Sequence, residues 1–456
     1  DVETGDLALL DLKTGSKRRL TDNRASGNSG EFAYFSAIAP EAREVAYAWF
    51  NDEKYYDLRV VNTATLKIRT LYRNEEAGFV QPCAWTPDGK RILTLFFRKD
   101  NISQIAMVSA ADGSVQVLKS LNWVYPNRMD LSPDGRYIVY DDLSAQGSAQ
   151  RDIFLLAVDG SREIRIVESA ANDLFPLWAR NGKGVLFTSD RRGTTDLWFI
   201  PLSNGKPAGD SALVQQNLGA ILPMGVTRDG VYYYGLRTGS TELSIASLDR
   251  QGGRVDSARK VPTARVPAAQ TAAEWSADGR QVAYLARAGN ENFGQEFRAI
   301  AVRTLETGSE REVSPNLAFL ERLRWSPDGR FFLVSGSDRH GYSGLYVVDA
   351  LSGETRPVVR ERTSTYRGLE GAWFAGGRAV LYQREDPPQG TQLRLRQLET
   401  GTERELYRAE AGARIHQLAV SPDGRNLAFV LRTGNGSTET LAVMPAEGGE
   451  SRRLAT

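Results

Sequence analysis

Two histidines and one cysteine are all that 456 residues offer to imidazole or thiol chemistry. A serine or cysteine hydrolase needs a nucleophile, a base within hydrogen-bond reach and an acid to orient the base. No G-x-S-x-G elbow occurs. The nearest strings, Gly27-Asn28-Ser29-Gly30 and Gly341-Tyr342-Ser343-Gly344, have the wrong spacing and fall in expected loops. His340 sits in an expected hairpin turn, and His416 just ahead of an expected strand. Both fit surface or structural roles better than catalysis. Cys83, in Pro82-Cys83-Ala84-Trp85, stands where comparable segments carry small or apolar residues, so it reads as a buried small hydrophobe. Metal chemistry has no better footing: H-E-x-x-H, C-x-x-C and a closed D-x-D-x-D-G calcium loop are all missing. Asp141-Asp142 and the many Asp-Gly pairs read as turn chemistry. No G-x-x-x-x-G-K-[ST] cradle for phosphate occurs. The expectation is a chain with no cofactor and no metal, not itself an enzyme, though it could serve as part of a larger one.

Charge narrows the partners. Lys and Arg number 57 against 56 for Asp and Glu. A nucleic-acid-binding domain shows a basic surplus or stripe, so nucleic acid is not expected as a partner. Lys17-Arg18-Arg19 and Arg191-Arg192 lie beside expected turns and strand edges, where charge protects an edge from pairing. No apolar run approaches the length of a membrane span, so no membrane insertion by this segment is expected. A single cysteine precludes an internal disulfide.

What the sequence does repeat is a turn. Thr86-Pro87-Asp88-Gly89, Ser132-Pro133-Asp134-Gly135, Ser276-Ala277-Asp278-Gly279, Ser326-Pro327-Asp328-Gly329 and Ser421-Pro422-Asp423-Gly424 share one design. Pro presets φ at the first corner, Asp bonds back to nearby backbone and Gly takes the positive φ. Weaker copies are Ala179-Arg180-Asn181-Gly182, Thr227-Arg228-Asp229-Gly230 and Phe374-Ala375-Gly376-Gly377, with a worn one at Ala39-Pro40-Glu41-Ala42. The last residues fall at 42, 89, 135, 182, 230, 279, 329, 377 and 424, a spacing of 46 to 50. Between turns lie short apolar runs such as Phe331 to Val334 and Leu345 to Val348. A period in the forties with four short strands per unit marks propeller blades.

The blocks Trp325 to Val334, Trp275 to Tyr284 (WSADGRQVAY) and Val420 to Phe429 (VSPDGRNLAF) resemble the WD40-like repeat of the TolB-type β-propeller. They are also similar to repeats in the N-terminal propellers of prolyl-oligopeptidase-like and tricorn-like peptidases. The resemblance implies an all-β propeller of four-stranded antiparallel blades: nine full repeats of about 47 residues after an N-terminal half-blade. It implies a non-catalytic binding or scaffold module for protein or peptide, part of a larger bacterial protein. The alternative is the substrate-gating accessory propeller of a serine peptidase whose catalytic domain lies outside this chain. A periplasmic or otherwise extracytoplasmic location follows from the resemblance, with the cytoplasm as the alternative.

Residues 1–21 match only the third and fourth strands of a unit, so the reading expects a fragment cut upstream of Asp1. The polar, Pro-containing stretch 250–270 is the best boundary between rings. Two rings are expected, 1–265 with about six blades, the first incomplete, and 266–456 with four. The alternative is one large ring over 1–456. The tryptophans Trp85, Trp178, Trp275, Trp325 and Trp373 hold one register, four residues ahead of the turn glycine, which predicts packing between blades.

Binding residues are sought on the loops that feed each inner strand and line a channel mouth. Seven or eight residues before the turn glycine stand Gln81, Asn127, Arg128, Glu321, Arg322, Glu370, His416 and Gln417, the expected binding surface. The hairpin Trp49 to Tyr56 is a second candidate on its aromatic content.

Overall fold

The computed structural model describes residues 4–22, 31–51, 53, 55–100, 102–121, 124–145, 150–227, 229–236, 242–247, 258–263, 273–287, 297–361, 369–386, 390–433 and 438–455. Gly27 to Gly30, Asp52, Lys54 and most of 250–270 lie outside the described residues.

The recurring turn sets the fold. In each full copy the hydroxyl of the first residue donates to the aspartate two places on, at 2.6 Å for Thr86–Asp88, Ser276–Asp278, Ser326–Asp328 and Ser421–Asp423. The same carboxylate accepts the backbone N–H two residues later, as in Arg330 to Asp328 at 3.1 Å. These bonds, the hydroxyl first and the backbone N–H next, hold the carboxyls of Asp88, Asp278 and Asp423 below the usual range. The closing glycines take positive φ, 74° at Gly329. In the worn copy Ala42 takes that place at φ 55°. The copy at Phe374 departs from the rest and forms a short 3-10 turn over Ala375–Gly377.

Between the turns the chain is all-β, in antiparallel four-stranded blades of the propeller class. It divides into two compact units, one built on 1–238 and one on 239–456. The first opens with the pair Ala8–Leu10 and Lys17–Arg19. Four blades follow over 32–72, 77–121, 129–167 and 173–215, then the pair Ile221–Val226 and Tyr232–Leu236. The fourth blade carries an unexpected extra strand, Lys206–Pro207, folded back on Asp196–Ser203. The second unit repeats the plan. The pair Leu243–Ile245 and Arg259–Val261 comes first, so the stretch expected as a boundary contains a strand. Blades follow from the inner strands Glu274–Trp275, Phe319–Trp325, Gly371–Phe374 and Arg414–Val420.

The second strand of several blades is an apolar run rather than an alternation because it is covered on both faces. Arg91–Arg98 is buried everywhere but its two ends, and Phe331–Ser337 everywhere but its first residue. The core is therefore a series of inter-blade clusters. One joins Leu58 and Val60 to Ile92 and Phe96, and another joins Leu333 and Leu345 to Trp373 and Val380. Removing each such side chain from water stabilises the fold by about 2 kcal/mol.

The tryptophans act between blades, with one correction. Trp85 Nε1 donates to Ala37 O of the preceding inner strand at 2.9 Å, and Trp373 Nε1 to Arg324 O at 3.1 Å. Trp85, Trp178, Trp325 and Trp373 are buried, but Trp275 is 48% exposed. Its strand is two residues long and opens the first full blade of its unit. Among the described residues of that unit no inner strand precedes it to receive the ring.

Candidate functional site

A break in register recurs in the inner strands. The ladder between the first two strands of a blade skips one residue between Tyr34 and Ser36, Pro82 and Ala84, Pro223 and Gly225, and Leu320 and Arg322. Wider skips separate Leu174 from Leu177 and His416 from Ala419. Three of the residues set out of register adopt positive φ, Phe35 at 38°, Phe175 at 55° and Gln417 at 55°. A bulge of this kind re-aims a side chain and is costly for a bulky residue. It also lets pairing continue beyond the interruption. Gln81, Glu321, Arg322, His416 and Gln417, expected on loops, therefore lie within inner strands.

In the first unit the expected residues are tied into the scaffold. Gln81 is half-buried, opposite Leu95. Asn127 gives its side-chain amide to buried Asp141 at 2.7 Å, and the Arg128 N–H donates to the same carboxylate at 2.9 Å. Arg151 completes the pairing at 3.0 Å. The Arg128 guanidinium reaches past the neighbouring blade and donates to Pro223 O at 2.7 Å and Met224 O at 3.1 Å. Cys83 is half-buried at the bulge of its strand, and burial pushes its thiol up to about 12. The aromatic hairpin also turns inward. Phe50 and Tyr56 join Phe32, Tyr34, Phe35 and Phe79 in one cluster, with ring centroids 4.8 Å apart for Tyr56 and Phe79.

The second unit assembles a different arrangement. Arg322 Nη1 lies 2.9 Å from Glu370 Oε1, and the other oxygen of Glu370 accepts the Gln417 N–H. Three successive blades thus meet at one buried carboxylate. Arg324, two residues along from Arg322, pairs with Glu274 of the preceding blade at 2.9 Å. Burial raises the Glu274 carboxyl above its usual range against the pull of Arg324. Beside these charges opens a small recess, lined by Arg322, Arg324, Ser335, Leu345, Glu370 and Leu418 among others. The strand register explains the company: Ser335 stands opposite Arg322, Leu333 opposite Arg324, and Leu345 opposite Ser335. Gly371 closes one side, where a Cβ would come within 2.7 Å of Leu345 Cδ1.

Arg322, Glu370 and Gln417 are therefore brought together. Glu321 is half-buried at the bulge, and His416 is half-buried opposite Val430. His340 is exposed in its turn, its N–H held by Asp338 at 2.8 Å. Glu274, Arg324 and Ser335 were not singled out in the sequence. Arg324 shares a face with Arg322 by strand alternation, but Ser335 enters through cross-strand register. Among the described residues no group of three or more potential metal ligands occurs.

No family model matches the chain. It is 33% identical over 75 residues, 16% of its length, to dipeptidyl-peptidase 5 of Porphyromonas gingivalis. It is 32% identical over 105 residues, 23% of its length, to an uncharacterized protein of Agrobacterium fabrum. The matched stretches span 11% and 34% of those two relatives. Similar solved structures include the tricorn protease, with TM-score 0.35 and 14% identity over 97% of this chain and 48% of that one. TolB from Acinetobacter baumannii is another, with TM-score 0.32 and 16% identity over 78% and 76%. A third is oligogalacturonate lyase from Vibrio parahaemolyticus, with TM-score 0.37 and 14% identity over 75% and 83%.

Proposed function

We propose that the chain is a recognition module that binds an extended peptide or protein segment at the inner strands of its second unit. The observation that carries this reading is the meeting of three blades at Glu370, with a recess beside it that is lined by both charged and apolar side chains. The recess is much smaller than the pocket of a whole small-molecule ligand, about 300–1,000 Å³. It suits the tip of a bound chain. Binding there needs no group to change its covalent state.

A second reading has one observation in its favour, the 75-residue likeness to dipeptidyl-peptidase 5. In that reading the bound peptide is passed to a peptidase domain carried elsewhere.

The test is fluorescence polarisation of the 456-residue chain against a pool of labelled random decapeptides, followed by hydrogen exchange on the strongest binder. Binding in the micromolar range, about −8 kcal/mol, is expected. Slowed exchange is expected over 319–325 and 369–374. A pool with no binder, or protection confined to the first unit, would sink the reading.

A further inference from the structure

The recess has a chemical polarity finer than peptide against no peptide. Arg322 and Arg324 are two apart on one strand and present their guanidinium groups on one face, with side chains 54% and 48% exposed. Each is held by a carboxylate through one nitrogen, at 2.9 Å in both cases. A guanidinium carries five N–H donors in a planar fork, so each has donors beyond that pair. Glu370 cannot swing to absorb them, because its second oxygen is occupied by the Gln417 N–H. Burial works against the ionised form of Glu274, and Arg324 works for it.

Ser335 adds a second, independent sign. It is 3% exposed, lines the recess, and its Oγ has no hydrogen-bond partner. A buried hydroxyl left unsatisfied is costly and is ordinarily explained by a ligand or an ordered solvent molecule. Directly across the ladder from Ser335 is Leu345, and Leu333 and Leu369 line the same recess. Cationic forks, an unpartnered hydroxyl and a leucine wall therefore adjoin within one small space.

We propose that this recess captures the C-terminal carboxylate of a peptide whose last side chain is apolar. Arg322, Arg324 and Ser335 hold the carboxylate, and Leu333, Leu345 and Leu369 receive the side chain. The inference rests on the peptide-recognition reading above and adds which part of the peptide is read. Only a terminal residue offers an anion and an apolar side chain on the same carbon. An internal Asp or Glu would bring its charge without the apolar group, and an internal Leu the reverse. Planar guanidinium forks match a carboxylate through paired N–H bonds.

The experiment uses the full chain and the labelled pentapeptide glycyl-seryl-glycyl-alanyl-leucine, as the acid and as the C-terminal amide. The acid should bind about tenfold more tightly than the amide or better, since each lost charge-assisted bond is worth about that factor. Arg324→Met should remove the preference and Arg324→Lys restore part of it. Removing Arg322 would strand a buried carboxylate and could unfold the unit. Ser335→Ala avoids that risk: it deletes an atom that bonds nothing, so the melting temperature should hold while acid binding weakens severalfold. Equal binding of acid and amide overturns the carboxylate assignment and leaves peptide recognition standing. A preference for the acid that survives both Arg324→Met and Ser335→Ala overturns the site. If neither form binds and the decapeptide pool also fails, the recognition reading falls with it.

Discussion

At the bulge of Phe32–Ile38 the residue pushed out of register is Phe35, 42% exposed. At the matching bulge of Phe319–Trp325 it is Glu321, with Arg322 next to it. Met224, 68% exposed, and buried Phe175 continue the apolar series in the first unit, while Gln417 continues the polar one in the second and Glu370 stands just ahead of an unbulged inner strand. The one strong charge at this register in the first unit, Arg128, is spent on two backbone carbonyls. The backbone device is shared; the side chains mounted on it are not. A phenylalanine at φ 38° carries strain of about 1–2 kcal/mol, which the aromatic cluster around Tyr34 and Phe79 offsets by packing. The second unit keeps its polar residues around an open recess instead. One unit uses the inner-strand register to hold itself together, and the other uses it to leave a space.

That contrast can be broken first at the tryptophans, which should ignore it. If both units are stacked the same way, Trp178→Ala in the first and Trp373→Ala in the second should each cost about 3–5 kcal/mol, the usual toll for a buried large aromatic. Trp275→Ala should stay within about 0.5 kcal/mol, as surface changes do. Urea unfolding followed by circular dichroism measures all three. A large loss at Trp275 would mean that an inner strand covers it after all.

The next effect separates the two units by reactivity. Cys83 occupies a bulge in the first unit with its thiol pushed up to about 12. At pH 8 so small a thiolate fraction should make maleimide labelling about a hundredfold slower than for an unfolded thiol, allowing for the greater nucleophilicity of a more basic sulfur. Guanidinium chloride should abolish the difference. A Cys83→Ala, Gln417→Cys double variant places a thiol at an exposed bulge of the second unit, and it should label at the unfolded rate. Equal rates at the two positions would erase the distinction drawn between the units.

How far the sequence displayed this varies with the physics involved. The turns were legible because Ser-Pro-Asp-Gly carries its own hydrogen bonds and its own positive φ, independent of what packs around it. The strand positions followed from the turns. Counting back from the turn glycine located Arg322, Glu370 and Gln417, which the structure joins, but the same count selected Asn127 and Arg128, which it spends on scaffold bonds. Register alone cannot say whether a polar side chain will find a partner in the next blade. Ser335 and Leu345 were invisible because they reach the recess by cross-strand pairing. Trp275 was misplaced because a motif says where a ring points and not how far its surroundings cover it.

The smallest effect tests the contrast at its centre. Arg322→Ala leaves Glu370, 8% exposed, with the Gln417 N–H and no cation. Losing the partner of a fully buried charge costs about 3–5 kcal/mol, but the Arg322 side chain is half exposed, so solvent screening brings the expected loss down to about 2 kcal/mol. Arg128→Ala instead removes bonds to two carbonyls that carry no net charge, Pro223 O in a buried position and Met224 O in an exposed one, for about 1 kcal/mol. The pair of measurements also has an internal control. Glu370→Gln in the Arg322→Ala background removes the stranded charge and should recover part of the loss, whereas no such rescue exists for Arg128. Recovery at Glu370 would show that the second unit holds a charge in place beside its recess. Failure to recover would mean that Arg322, like Arg128, serves only to tie blades together, and the two units would then differ in residue type without differing in purpose.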